Sequence, residues 1–194
     1  MIPRPRRPAV FLDRDGTLNR EVEGALARVE QLELLPGALE GAARLRATGL
    51  ELVVVSNQSA VARGWAGVVD VAAVHRSLVE RMSAAGAAPS GVYLCPHHPS
   101  EGAPPYRRAG ACRKPAPGML ARAARELELD LASSWIVGDA GRDLEAGAAL
   151  GVRGVLVLTG KGLAERERLR AAGREPVHVA QDLRAAAELV LAAS

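Results

Sequence analysis

Two carboxylates and a Gly-Thr pair stand close together in the segment Phe11-Leu12-Asp13-Arg14-Asp15-Gly16-Thr17-Leu18-Asn19. The apolar run Ala9 to Leu12 leads directly into them. A carboxylate at a strand end, with a second one two residues on, places two acids over one ligand. The first can attack phosphorus to give an aspartyl-phosphate. The second can protonate a leaving alcohol and afterwards activate water. Gly16 permits a tight turn out of the strand.

These residues need elements to hold them. Short apolar runs rich in β-branched residues recur at Glu51 to Val55, Gly91 to Leu94, Trp135 to Val137 and Gly154 to Leu158. Runs of this length suit strands buried on both faces of a parallel sheet. Helical patterns lie between them. Gly37 to Thr48 follows Pro36 and stops at Gly49; others cover Val69 to Ala85, Gly118 to Leu129, Asp143 to Leu150 and Gln181 to Ala193. Alternating strands and helices predict an α/β fold, a Rossmann-like open parallel sheet with helices on both faces. In such sheets ligands sit beyond the carboxyl ends of the strands. The polar residues that end the runs are therefore the candidate site: Asp13 and Asp15, Ser56 and Asn57, Asp139 and Asp143.

Composition narrows the function classes. The chain has 194 residues, 48% hydrophobic and 24% charged, enough to bury one core. Residues 1–8 read as a basic, proline-rich tail ahead of a single domain over 9–194. No run approaches the roughly 20 apolar residues of a membrane span, and no secretory signal opens the chain, so a cytoplasmic protein is expected. The net charge is +3, but of 25 basic residues only Lys114 and Lys161 are lysine, and the arginines are spread along the whole chain. That distribution, with five aromatic residues in all, argues for a compositional bias and against nucleic-acid binding by base stacking. Where lysine is kept, a compact point charge is the reason to look for.

The four segments around these residues resemble, in order, the motifs of the haloacid dehalogenase-like phosphohydrolases. They are Asp13-Arg14-Asp15-Gly16-Thr17, Val54-Val55-Ser56-Asn57-Gln58, Cys112-Arg113-Lys114-Pro115 and Val137-Gly138-Asp139-Ala140-Gly141-Arg142-Asp143. The resemblance implies that Asp13 is the nucleophile and Asp15 the general acid/base, with Ser56 holding phosphoryl oxygens and Lys114 countering their charge. It implies Mg²⁺ on the Asp13 carboxylate, the Asp15 backbone carbonyl and Asp139, with Asp143 behind them. Ser56 also suits a helix N-cap, and Asp143 a helix-start acid. Ala140 departs from the polar residue that relatives often carry there.

The resemblance narrows further through Ser56-Asn57-Gln58-Ser59, Ala62-Arg63-Gly64, Cys95-Pro96-His97-His98-Pro99 and Cys112 to Leu120. These look like the subgroup of heptose bisphosphate 7-phosphatases and, more distantly, histidinol-phosphate phosphatases. It implies substrate contacts from Asn57, Gln58, Ser59 and Arg63, and a phosphate-reading role for Arg113, whose fork suits a dianion. The expected substrate is a phosphorylated sugar, most simply a seven-carbon bisphosphate, handled by a monomer without membrane or nucleic-acid partners. A histidinol phosphate or a nucleic-acid end are the competing substrates.

Cys95, His97 and Cys112 flank a loop of Pro, Gly and polar residues. Thiolates and an imidazole are what a structural zinc uses. Family members carry Cys-x-His and then Cys-x-Cys, but position 110 here is glycine. Zinc would need a fourth ligand from His98, Glu101 or water; without zinc the cysteines are small buried residues. The stretches 20–36 and 57–114 leave no room for a cap domain. Loops over 20–30, 62–64 and 96–113 must therefore close the site.

Overall fold

The computed structural model describes residues 6–193. Six parallel strands form one sheet: β1 (Arg7–Leu12), β2 (Glu51–Asn57), β3 (Gly91–Cys95), β4 (Leu129–Gly138), β5 (Arg153–Val157) and β6 (His178–Ala180). Their order is β3-β2-β1-β4-β5-β6. The chain runs outward from β1 to β3, then crosses back to lay β4 on the other side of β1. The gap between the ends of β1 and β4 is the switch point at which open α/β sheets bind ligands.

Alternate strand residues feed two cores, as a sheet covered on both faces requires. Val10, Leu12, Leu52, Val54, Trp135, Val137, Val155 and Val157 pack on one face, against α1 (Ala38–Ala47), α3 (Val68–Ala84) and α7 (Leu183–Ala192). Phe11, Val53, Val55, Tyr93 and Ile136 pack on the other, against α4 (Gly118–Glu126) and α5 (Gly141–Ala148). A four-residue helix, α2 (Ala60–Arg63), follows β2, and α6 (Gly162–Ala171) follows β5. No inserted domain sits between these elements among the described residues.

The sequence reading misses some elements. Strand β4 starts at Leu129, so the expected helix Gly118 to Leu129 ends at Glu126. Leu129 and Asp130 instead pair with Arg7 and Pro8, which extends β1 two residues into the expected tail. Of the rest of that tail, residues 1–5 lie outside the described residues. Helix α6 and strand β6 were not expected. Helix α6 reads Gly-Leu-Ala-Glu-Arg-Glu-Arg-Leu-Arg-Ala and buries little beyond Leu169, so it has almost no apolar stripe to detect. Strand β6 has three residues, too few for a pattern. No helix is long and apolar enough to cross a membrane among the described residues.

Helices α1 and α7 approach through Gly41. A Cβ there would lie 2.5 Å from the Leu183 carbonyl oxygen and 2.8 Å from the Arg184 nitrogen, both backbone atoms. In an exposed helix, Gly→Ala stabilises by about 1 kcal/mol. Here the new methyl must push two helices apart, so Gly41→Ala is expected to destabilise by about 1–3 kcal/mol. Urea unfolding measures it, and a more stable variant would contradict this packing.

Candidate active site

The acids sit where the sheet ends. The Asp13 backbone N–H donates to the Val137 carbonyl, so β1 and β4 are still paired when the first acid appears. The chain then turns at Gly16, whose φ is +82°. A Cβ on Gly16 would lie 2.0 Å from Asp139 Oδ2. Only glycine lets the loop after Asp13 close over Asp139. On the other side, the Lys161 backbone N–H donates to Asp139 Oδ2 at 2.9 Å, and Thr159 Oγ1 donates to the Gly16 carbonyl at 2.6 Å. The turn after β5 thus clasps the turn after β1.

Lys114 anchors the charge balance. It is buried, and its Nζ donates to the Val55 carbonyl at 2.7 Å and forms ion pairs with Asp13 Oδ1 at 2.8 Å and Asp143 Oδ1 at 2.7 Å. Burial alone would lower the lysine pKa, but Asp13 and Asp143 outweigh it and raise it. Asn57 fixes the backbone of the same residue: its Oδ1 accepts from Lys114 N–H and its Nδ2 donates to Lys114 C=O.

The carboxylates are still short of positive charge. Burial, then the neighbouring Asp143, pushes Asp13 up to about 6 despite Lys114. Burial, then Asp13, pushes Asp139 up to about 7. Asp139 Oδ1 is buried with no hydrogen-bond partner. Oxygens of Asp13, Asp139 and Asp143 all lie within 4.8 Å of one another. A hard divalent cation with oxygen ligands fits this donor set. Asp143 is already held by Lys114 and accepts from the Ala140 N–H at the start of α5, behind the other two.

Asp15 stands apart from that cluster. Its carboxylate accepts from Arg14, Asn19 and Gln58. Burial would raise its pKa, but the Arg14 guanidinium and these donors hold it below the ordinary value. Gln58 also donates to Ser56 Oγ at 2.8 Å. The side chains of Asn57 and Gln58, expected on substrate, are thus engaged in positioning Lys114, Asp15 and Ser56.

A cleft of about 560 Å³ opens above these groups. Asp13, Asp15, Ser56, Asn57 and Ser59 line its floor, and Arg63, Arg113, Arg142 and Lys161 bring positive charge to its walls. Arg113 donates to the His97 carbonyl at 3.1 Å, which ties the cleft to the cysteine loop. Arg63 stacks over Trp65, 4.5 Å from the ring centroid. The half-exposed Trp65 and the cations Arg142 and Lys161 were not expected. Lys161 could have been, as the second of two lysines. Arg142 lies inside the fourth motif but was given no role there, and Trp65 belongs to no motif read from the sequence.

The cysteine loop gathers as expected. Cys95 Sγ lies 2.6 Å from Cys112 Sγ, and His97 Nδ1 lies 3.1 Å from Cys112 Sγ. Burial and the adjacent Cys112 push the Cys95 thiol up to about 12. A Cβ on Gly110 would lie 3.5 Å from His97 Nδ1 and 3.8 Å from Cys112 Sγ, so the open side of the cluster faces Gly110. Two expected fourth ligands are turned away. His98 Nδ1 accepts the Glu101 N–H at 2.9 Å and its Nε2 faces Arg63; the Glu101 carboxylate pairs with Arg63 at 3.2 Å. Of the expected fourth ligands, only water remains.

The chain is similar to known proteins over most of its length. The HAD-hydrolase-like family model matches residues 111–186. The D-glycero-D-manno-heptose-1,7-bisphosphate 7-phosphatase of Thermosynechococcus vestitus is 41% identical over 188 residues, 95% of each chain. The D-glycero-beta-D-manno-heptose-1,7-bisphosphate 7-phosphatase of Escherichia coli K12 is 38% identical over 155 residues, 79% of this chain and 81% of its own. The crystal structure of the D,D-heptose 1,7-bisphosphate phosphatase from B. bronchiseptica, complexed with magnesium and phosphate, superposes with a TM-score of 0.83 at 34% identity, covering 96% of this chain and 99% of the other. Likeness of this extent, over a sheet that brings the same four motifs together, places the chain in the haloacid dehalogenase-like hydrolases, among the phosphatases that cleave phosphoric monoesters.

Proposed function

We propose that this enzyme removes the 7-phosphate of D-glycero-D-manno-heptose 1,7-bisphosphate through an aspartyl-phosphate on Asp13, with Mg²⁺. One observation carries the reading. Asp13, paired with the buried Lys114, lies at the floor of a cleft whose walls hold further cations, Arg113 foremost. A substrate with one phosphate at each end has a place for both. Full-length relatives named for that reaction support the choice of sugar.

The residues divide the work. Lys114 and the Arg14 N–H both bond Asp13 Oδ1, so the nucleophilic carboxylate cannot spin. An Asp13 oxygen attacks phosphorus as the bond to the sugar oxygen breaks; Asp15, which Arg14 holds ionised in the free enzyme, must take up a proton as substrate binds and gives it to that oxygen. Asp15, now ionised, takes a proton from the water that attacks the aspartyl-phosphate, and Asp13 is restored. Mg²⁺ held by Asp13, Asp139 and the Asp15 carbonyl would neutralise the charge shared by nucleophile and phosphoryl oxygens. Ser56, bonded by Gln58, presents its hydroxyl at the same edge.

Zinc on Cys95, His97 and Cys112, with water on the Gly110 side, would fix the loop that carries Arg113. Binding through Nδ1 puts the ring proton on Nε2, so the exposed Arg108 side chain, which donates to Nε2 at 3.0 Å, must swing away.

Asp13→Asn is expected to lower turnover on the heptose bisphosphate by several orders of magnitude, since the nucleophile is lost. Near-normal turnover would defeat the mechanism. Arg113→Ala should weaken the preference for bisphosphate over the 7-monophosphate by about 1.5–3 kcal/mol, the scale of a charge-assisted hydrogen bond. An unmutated enzyme equally efficient on both, or faster on histidinol phosphate, would overturn the substrate assignment. Elemental analysis of protein purified without chelator should find about one zinc per chain, as a single tetrahedral site requires. Full activity with no zinc would mean that the loop holds by packing alone.

A further inference from the structure

Among the acids of the cleft, Asp15 is held chiefly by its own neighbour. Arg14 Nε and Nη2 donate to Asp15 Oδ1 at 3.0 and 2.8 Å, and Nη2 reaches Oδ2 at 2.8 Å. Asn19 and Gln58 add one bond to each oxygen. An arginine bonded to the next residue in the chain usually sweeps through solvent. This one is 1% exposed, among the largest fully buried side chains of the protein.

Its order comes from its far side. Arg14 Nη1 lies 3.2 Å from Nε2 and 3.5 Å from Nδ1 of His75, so the guanidinium packs against the face of the imidazole. His75 Nδ1 lies 2.7 Å from the Val71 carbonyl, one turn earlier on α3. A proton on Nδ1 satisfies that carbonyl and fixes the plane of the ring on which the guanidinium rests. Burial and the adjacent Arg14 push the ring down to about 4, so it stays neutral and does not repel the guanidinium. Helix α3 is itself fixed by Val74, Leu78 and Met82 in the core. The contacts run from the α3 backbone through His75 and Arg14 to both oxygens of Asp15. No motif read from the sequence included His75 or assigned a role to Arg14.

We propose that His75, acting through Arg14, is the positioning residue that aims the Asp15 carboxyl group at the leaving oxygen. The inference rests on the reading of Asp15 as general acid/base. It separates positioning from mere support, because only a strongly basic leaving oxygen needs a proton as it departs. A sugar alkoxide does; a nitrophenolate does not. The quantity to compare is kcat/KM, which reports transfer to Asp13 and is not masked by slow hydrolysis of the aspartyl-phosphate.

The test uses the full chain with saturating Mg²⁺, on heptose 1,7-bisphosphate and on 4-nitrophenyl phosphate. His75→Ala removes the ring on which the guanidinium rests. It should lower kcat/KM on the sugar about 10²-fold, the scale of general acid catalysis, and leave the nitrophenyl ester nearly unchanged. His75→Phe restores a flat ring under the guanidinium and should recover most of the loss. Asp15→Asn is the reference and should show the same selective loss. Melting temperatures report whether each variant folds; if His75→Ala does not, His75→Leu, which fills the space without a flat ring, takes its place. Equal losses on both substrates, no loss on either, or phenylalanine no better than the ringless variant would overturn the positioning role. An Asp15→Asn variant that loses both activities equally would instead overturn the acid/base reading beneath it.

Discussion

Everything at the carboxyl edge of the sheet depends on one ammonium group. Lys114 Nζ sits in ion pairs with Asp13 and Asp143 and donates to the Val55 carbonyl. Two carboxylates this deeply buried repel each other, and losing water costs each several kcal/mol if uncompensated. Lysine suits the place where arginine would not, because a compact charge can donate in three directions at a single point. The same group ties three strands together chemically: Asp13 ends β1, Val55 lies in β2, and Asp143 stands one turn beyond β4. One cation does not balance Asp13, Asp139 and Asp143. Burial first, and then the neighbouring carboxylates, raise the pKa of Asp13 and Asp139, and a divalent cation would offset that negative charge.

The chemistry of the site was the most legible part of the sequence. Asp13, Ser56 and Asp139 each close a buried apolar run, while Lys114 stood out through its motif and as one of two lysines; the structure brings all four to the strand-end edge. Buried parallel strands write themselves as uninterrupted apolar segments, so their ends are visible. The supporting groups were much less visible. Arg14 could be read as one arginine among many, and His75 as a helix residue; their meaning lies in a contact between positions 61 residues apart. Glu51 is similar. It opens β2 with a carboxylate only 3% exposed, and Arg46 from the end of α1 converges on it with Arg7 and Ser90 from two distant segments. The segment 158–171 was passed over for a different reason. Its helix is polar on most sides, yet its first turn supplies the backbone donor to Asp139, and Glu165 accepts from the Gly141 N–H at the start of α5.

With no cap domain among the described residues, specificity falls to three short stretches of chain. The turn after β2 brings Arg63 and Trp65, the cysteine loop brings Arg113, and the β1–α1 connection brings Glu21 and Gly24. These are joined to one another: Arg63 contacts His98 and Glu101 of the cysteine loop, and Lys161 pairs with Glu21. A rim tied together in this way can be ordered before substrate arrives, which lowers the entropic cost of binding.

The central claim is that the phosphoryl group passes to Asp13 before it passes to water. The stereochemistry at phosphorus tests this most directly. A substrate whose transferred phosphoryl group is made chiral with sulfur and oxygen isotopes undergoes one inversion at each displacement. Two displacements, first by Asp13 and then by water, predict overall retention of configuration. Overall inversion would mean that water attacks the substrate directly, and would contradict the account.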